Sequence, residues 1–382
     1  MSKIKGKKLV LIMLLLIAFG ILMIYSASSY SAEIRYGDEF YFVKKQILGF
    51  FLGVIGFFAT FMWDYHKFYK IHWWVIGISV VLLVLVFVPG IGIAGNGARR
   101  WIGVGGFSIQ SSEVAKFGFV IFSSCYMSKN YNKMKTFKGI LPVLISGGCI
   151  CLLVLLEPNL SVTLCIGMVM VGMLFVGGIR LKHFLIIAIP ALALVPILII
   201  IEPYRLLRLM AFLNPWANPQ EEGFQLIQSL YSLGGGGVFG VGLFNSRQKY
   251  LFLPFSESDF IFSIIGEEWG FVGCTLLCLT YLAFILEGFK IARNAKDRLG
   301  AYLAYGITLL IATQLLINIA VVTGSIPPTG IPLPFISAGG TSLSVFMAGV
   351  GVLCNVANYT EVSHNLGMNV FSKVKKKKLK KT

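Results

Sequence analysis

Ten apolar runs, each about long enough to cross a bilayer, leave this chain few folds to choose from. They cover roughly 9–27, 44–62, 73–89, 112–127, 140–157, 160–177, 183–201, 260–287, 299–322 and 339–359. A span needs ~20 apolar residues as a helix, and a backbone in hydrocarbon must satisfy its own hydrogen bonds. The expectation is an all-α integral membrane protein with about ten transmembrane helices and a large extracytoplasmic loop between helices seven and eight. The chain reads as one polytopic domain, 1–382, with that loop at 202–258 and a Lys-rich tail at 361–382. Composition agrees: 57% is hydrophobic and only 13% charged, about half the ~25% of soluble domains. The first run has a Lys-rich front and a small-residue end, Ser26 to Ser28, which also fits a signal peptide. It is longer than most such cores, and cleavage would leave an odd number of spans.

The net charge of +17 is topology information rather than a nucleic-acid surface. With the N-terminus inside, most of the 33 Lys and Arg fall in the inner segments and the tail. Ten spans put both termini in the cytoplasm, and the tail reads as an anionic-lipid contact. The seven cysteines lie in or beside apolar runs without metal spacing, so they read as small buried residues. Four scattered histidines suggest neither a metal site nor a nucleophilic triad.

The outer segments carry the unusual residues. Tyr204 to Gly270 is the longest stretch that cannot simply span. It holds Arg205, Arg208, Arg247 and Lys249, the glycine run Gly234 to Gly237, and Asp259 where polar loop becomes apolar helix. It is too rich in Trp, Phe, Leu and Tyr for disorder. Asn96 to Lys116 adds Arg99 and Arg100, then Ser112 as a possible cap, with Glu113 and Lys116 on one helical face. Thr323 to Ser342 contains four prolines and four glycines, and its Pro327-Pro328 and Gly330-x-Pro332-x-Pro334 runs cannot continue a helix. As one helix, 260–287 would reach ~42 Å, so its first turns are expected in the interface or a cavity, with Gly266, Gly270 and Gly273 permitting bends or close packing.

Arg and Lys on the outer side suit the oxygens of a lipid-linked pyrophosphate. On position alone, snorkelling to phospholipid headgroups is the simpler account. Asp259 likewise has two readings. It is either the N-cap of the next helix, with Ser256 sharing the work, or a general base for a sugar hydroxyl. The glycine run lacks a Walker pattern, and close backbone packing or a mobile loop accounts for it.

Six ordered motifs resemble the SEDS family, which contains FtsW, RodA and SpoVE. They are NGARRWIGVGG…SSEVAK, YRLLRLMAFLNPWANP, GFQLIQSLYSLGGGG, GVGLFNSRQKYLFLP, DFIFSIIGEEWGFVG and NIAVVTGSIPPTGIPLPFISAGGTS, and they extend from Asn96 to Ser342. Trp216, Gln225 and the SRQK run resemble the FtsW/SpoVE branch more than RodA. The resemblance implies a peptidoglycan glycosyltransferase that polymerises lipid II on the outer face of the bacterial cytoplasmic membrane, in division or sporulation septum synthesis. It implies a class B penicillin-binding protein as partner, with other divisome or septal proteins, and no nucleic acid. It makes Asp259 the catalytic base and undecaprenyl pyrophosphate the leaving group. A divalent cation, Mg or Mn, would come with the lipid pyrophosphate, without a dedicated protein cage.

The positions that match the family's polar cavity are Glu113, Lys116, Gln225, Ser229, Lys249, Asp259 and Ser337. Together with Arg99, Arg100, Arg205 and Arg208 they form the substrate-binding candidates around Asp259. Three positions depart from the family pattern. Leu253-Pro254-Phe255 lacks the usual Glu, Glu157-Pro158-Asn159 lacks the usual Asp, and Ser111 replaces a Pro. A lipid II flippase is the main alternative, since broken helices and buried charges also describe transporters. The concentration of polar residues on the outer side favours chemistry there. A silent scaffold that recruits a transpeptidase is the third reading.

Overall fold

Every apolar run folds as a helix in the computed structural model, which describes residues 6–378 apart from 96–97, 105–106 and 202. Lys3, Lys5, Asn96, Lys380 and Lys381 therefore lie outside the described residues, as do the side chains of the tail from 360 onward. The helices are α1 (Lys7–Tyr36), α2 (Tyr41–Met62), α3 (Phe68–Leu85), α4 (Ser111–Lys129), α5 (Phe137–Leu156) and α6 (Leu160–Val176). They continue as α7 (Leu181–Ile201), α8 (Pro203–Leu213), α9 (Phe224–Gly235), α10 (Ile261–Arg293), α11 (Arg298–Val322) and α12 (Gly340–Lys378). Among the described residues, seven of the ten expected spans are long and apolar enough to cross a membrane by themselves. They lie on α1, α2, α3, α5, α10, α11 and Gly340–Tyr359 of α12. The other three expected spans fall on α4, α6 and α7, of which α4 carries Glu113 and Lys116 and α6 has 17 residues.

α11 is the central post, packed against α10, α6, α4 and α12. Its apolar stretch is two-thirds buried, 67%, whereas that of α2 is 17% buried. Two of the segments expected outside hold more regular structure than their sequences suggest. The Gly-rich stretch before α4 is an antiparallel meander of β1 (Gly92–Gly95), β2 (Ala98–Val104) and β3 (Phe107–Gln110). Ile102 of β2 faces Ile109 of β3, and the two arginines sit on β2. The loop after α7 contains two amphipathic helices, α8 and α9. α8 exposes Leu206, Leu207, Met210 and Leu213, the surface expected of an interfacial helix, with Arg205 and Arg208 half-buried.

α10 is broken at Gly270, where φ is 65° and ψ −166°. Only glycine adopts that backbone readily. The break frees carbonyls and amides that membrane-depth backbone must pair. The segment after α9 takes them: Val241 and Gly242 N–H bond the carbonyls of Glu267 and Glu268, and Phe271 and Val272 N–H bond the carbonyls of Gly237 and Val238. A Cβ on Gly236 would lie 2.0 Å from the Gly266 carbonyl oxygen, so this one glycine of the run allows a close backbone contact, while a Cβ on Gly234, Gly235 or Gly237 would meet nothing within 4 Å. The expected bend in 260–287 is therefore real, and Gly270 makes it.

Candidate active site

The proline-rich segment between α11 and α12 enters the interior, with Ile331, Leu333, Phe335 and Ile336 buried. Side chains supply what its non-helical backbone lacks. Asn318 Nδ2 donates to the Ile331 carbonyl at 2.7 Å, and Gln314, one turn away on α11, donates to that of Pro332 at 2.9 Å. The Tyr281 hydroxyl donates to the Pro334 carbonyl.

The same segment holds the stretch that leads into α10. Ala338 N–H donates to the Glu257 carbonyl at 2.9 Å. Ser337 Oγ donates to the Ser258 carbonyl at 2.5 Å and accepts the Leu333 N–H at 2.8 Å. Asn318 Nδ2 donates to the Asp259 carbonyl at 2.8 Å. Three consecutive carbonyls, 257 to 259, are thus tied down, and the Asp259 side chain is placed by its fixed main chain. The N-cap position of α10 belongs to Phe260, and no side chain caps it. Ser256 Oγ donates to the Ala27 carbonyl instead. The capping reading of Asp259 and Ser256 is thereby corrected.

Asp259 is half-buried. Burial pushes its carboxyl up to about 6, opposed by the positive charges of Arg100 and Arg208, with Glu257 adding to the rise. Arg208 reaches across from α8, its Nη1 donating to the Pro328 carbonyl at 2.9 Å. Arg100 reaches from β2 to the turn between α5 and α6, donating to the Glu157 carbonyl at 3.2 Å and to that of Pro158 at 2.6 Å. An acid near neutrality between two guanidinium fields can take a proton and tolerate an anionic leaving group nearby. Gly330 lines the acid: a Cβ there would sit 2.9 Å from Asp259 Oδ2.

The other expected site residues divide into groups. Arg205 lies half-buried on α8 beside Arg208, and Arg99 is exposed on β2. Gln225 is half-buried, and its Nε2 points to the Pro254 carbonyl at 3.4 Å. Ser337 acts on the main chain of the Asp259 loop, as above. Ser229 is buried between helices, its Oγ bonded to Ser263 Oγ at 2.8 Å and the Val322 carbonyl at 2.7 Å, which leaves it a packing role. Lys249 is not an open cation. It is 5% exposed, and its Nζ donates to the Phe244 carbonyl at 2.6 Å and lies 3.4 Å from Glu268 Oε1. Glu267 and Glu268 receive backbone N–H groups from Ser246, Arg247 and Gln248, so this cluster clasps the loop to the broken helix.

Glu113 and Lys116 form a fully buried ion pair of 2.6 Å. Lys116 also donates to Gln314 Oε1 at 2.5 Å, and Ser342 Oγ donates to Glu113 Oε2 at 3.1 Å. The pair joins α4, α11 and α12 beneath the segment that supports Asp259. Its atoms are engaged with one another, so its connection to Asp259 runs through Gln314, Pro332, Ile331 and Asn318. Sequence reading passed over Gln314 and Asn318. The available signal was two amide side chains four residues apart in an apolar span, which need partners there.

Two family departures have simple structural outcomes. Asn159 Oδ1 accepts the Val162 N–H at 3.3 Å and caps α6, a role Asp would fill equally. Phe255 has φ 55° and an exposed ring, so a Glu there would also point outward. Glu257 is the buried acid of this stretch, and burial raises its carboxyl pKa. Among the described residues no three His, Cys, Asp or Glu side chains converge on a metal site.

Comparison with known proteins agrees with this architecture. The family of cell cycle proteins that groups FtsW, RodA and SpoVE matches residues 7–362. Stage V sporulation protein E of Bacillus subtilis is 43% identical over 92% of this chain and 96% of its own. A probable peptidoglycan glycosyltransferase FtsW of Geobacter sp. is 38% identical, covering 94% and 98%. A solved structure described as a peptidoglycan synthase complex coordinating polymerization and crosslinking superposes with a TM-score of 0.76 at 27% identity, covering 92% and 97%. RodA of Thermus thermophilus shares the fold, with a TM-score of 0.67 at 24% identity, covering 92% and 95%. The chain belongs to the FtsW/RodA/SpoVE family, the SEDS family, and sits with its SpoVE and FtsW members. It is a multi-pass membrane protein.

Proposed function

We propose that this chain is a peptidoglycan glycosyltransferase that polymerises lipid II on the outer face of the cytoplasmic membrane, for a division or sporulation septum. The observation that carries the reading is Asp259: a carboxyl raised to about 6, on a main chain tied at three carbonyls, in the fields of Arg100 and Arg208. Asp259 takes the proton of the GlcNAc 4-hydroxyl as that oxygen bonds to the donor sugar carbon. The bond from that carbon to the pyrophosphate breaks, and undecaprenyl pyrophosphate leaves with the electron pair. Arg100, Arg205 and Arg208 face the growing negative charge, and a divalent cation would arrive on the pyrophosphate itself. The Lys and Arg distribution puts both termini in the cytoplasm and the loop outside. A class B penicillin-binding protein is the partner this reading implies, with other septal proteins, and the similarity to a synthase complex supports it.

Purified chain given lipid II in detergent should form glycan polymer, where flipping has no meaning. The rate should fall as pH drops through about 6, because only ionised Asp259 accepts a proton. Stability runs the other way. With the folded carboxyl pKa raised above its ordinary 3.8, the burial penalty is absent at low pH, grows as the unfolded chain ionises from about 4 upward, and is complete once pH passes about 6. A rate indifferent to pH in that region removes Asp259 as the base. Gly330→Ala should push the carboxylate aside, since the new carbon meets Oδ2 at 2.9 Å. The shift needed is a few tenths of an ångström, so the rate should fall by less than the ~10²-fold that goes with a misplacement of about 1 Å. Unchanged polymer from a normally expressed Gly330→Ala protein would mean the acid yields without consequence.

A further inference from the structure

Gln46 is a buried amide that neither the sequence motifs nor the proposed mechanism uses. Most of α2 is not enclosed by the rest of the chain, yet Gln46 is only 1% exposed. An amide side chain within an apolar helix needs partners, and Gln46 finds both on one short stretch of main chain. Its Nε2 donates to the Ser337 carbonyl at 3.2 Å, and its Oε1 accepts the Gly339 N–H at 3.0 Å. Gly49, three residues on and on the same helical face, lets α2 come that close: a Cβ there would lie 2.4 Å from the Gly340 Cα. The same stretch also holds the segment that leads into α10. Ser337 Oγ donates to the Ser258 carbonyl at 2.5 Å, and the Ala338 N–H donates to the Glu257 carbonyl at 2.9 Å. Residues 337–339 are therefore tied on two sides, to one side chain of α2 and to the main chain that runs into Asp259.

We propose that Gln46 is a positioning residue for the base: it fixes residues 337–339, and through their ties to 257 and 258 it holds the Asp259 carboxyl in place. The proposal rests on the reading of Asp259 given above. A base must stay within hydrogen-bond reach of the hydroxyl it deprotonates. Such placement depends on supporting side chains that are themselves locked by packing and hydrogen bonds. Gln46 meets that condition, because both ends of its amide are engaged. Its helix is pinned beside it as well, where Ser344 Oγ donates to the Gly49 carbonyl at 2.7 Å. Asn355 offers a comparison within the same pair of helices. Its Nδ2 donates from α12 to the carbonyls of Phe61 at 2.6 Å and Trp63 at 2.9 Å. That tie closes the far end of α2, away from residues 257–259.

Gln46→Met keeps the side-chain length and removes both hydrogen bonds. In lipid II polymerisation by the full-length protein it should lower kcat about tenfold, within the ~10²-fold that goes with a misplacement of about 1 Å, and leave KM little changed. A merely destabilised protein would also lose amplitude, so the pH profile decides between the two. Burial is the largest cause that raises the Asp259 carboxyl to about 6, with Arg100, Arg208 and Glu257 as the charges acting on it. A loosened segment admits water to the carboxyl, and the acidic limb of the rate should move from about 6 toward the ordinary 3.8. Gln46→Asn keeps the amide but is one carbon shorter than the reach both bonds require, and it should show the same shift. Asn355→Leu should lower the melting temperature and leave the limb near 6. A limb that stays at about 6 in both Gln46 variants would overturn the proposal, as would an equal shift in Asn355→Leu. A second measurement does not depend on catalysis. Amide hydrogen exchange in detergent should be faster in Gln46→Met at Ala338 and Gly339, and also at Ser258 and Phe260, whose N–H groups bond the Phe255 carbonyl. Faster exchange confined to 338 and 339 would overturn the proposal, because the disturbance would end before it reached the acid. Polymer formation by Asp259→Asn would instead overturn the base assignment, whatever the exchange result.

Discussion

Asp259→Asn should express, insert and bind a transpeptidase like wild type, yet make almost no glycan. Asn has nearly the same shape, and the ties at 257 to 259 all fall on main-chain oxygens, which the substitution leaves intact. An N-cap account would predict mild loss of stability for Ala, ~1 kcal/mol, and none for Asn. The structure removes that account, because no side chain caps α10. Loss of a general base costs about 10²–10⁴ in rate. The measurement is polymer from purified lipid II at matched protein amounts. Near-normal polymer from the Asn variant would pass the role to Glu257, the other buried acid on the same stretch. Glu113 is a weaker successor, being closed onto Lys116.

The largest stability effect is expected at Lys116. Lys116→Met deletes the cation of a fully buried pair and leaves Glu113 with a charge and only the Ser342 hydroxyl to meet it. Removing one partner of such a pair commonly costs 3–5 kcal/mol, roughly, whereas replacing both by neutral groups is far milder. Thermal unfolding in detergent should therefore show a strongly destabilised Lys116→Met protein. Glu113→Gln in the same chain should restore much of the loss. A single variant that melts like wild type would mean the pair is not buried as the structure places it. Activity should fall alongside stability, because Gln314 loses its Lys116 contact and supports the Pro332 carbonyl that neighbours the Asn318 tie.

Much of this architecture was legible because hydrocarbon permits so few backbones. The apolar runs marked the helices, and the length of 260–287 marked Gly266, Gly270 and Gly273 as sites for bends or close packing, of which Gly270 is the break. Asp259 stood out by position and by family motif. The β meander was hidden, since Gly-rich sequence with alternation as weak as Arg99 to Val104 resembles loop. Which cations face the site was also hidden. Lys249 and Arg208 look alike in sequence, both outer and basic, yet one is sealed against Glu268 while the other reaches Pro328. That difference arises from the packing of α8 and the broken helix, which no local pattern records. Glu257 and Phe255 show the same limit: two residues apart, one turns inward and one outward, because φ at 255 is positive.

The ties on carbonyls 257 to 259 also bear on how this segment can change over evolutionary time. Each bond is made to an oxygen that every amino acid possesses, and the donors sit elsewhere, on Asn318, Ser337 and the Ala338 amide. A side chain that takes no part in these ties, such as the exposed ring of Phe255, can therefore change without shifting the acid that follows it. A Phe in place of the family's Glu at 255 is then a permitted drift of the rim rather than a defect of the centre. Constraint of the opposite kind falls on α11 and on the proline-rich segment, where exchanging Asn318 or Ser337 would release the carbonyls of Asp259 and Ser258, 59 and 79 residues away in the chain.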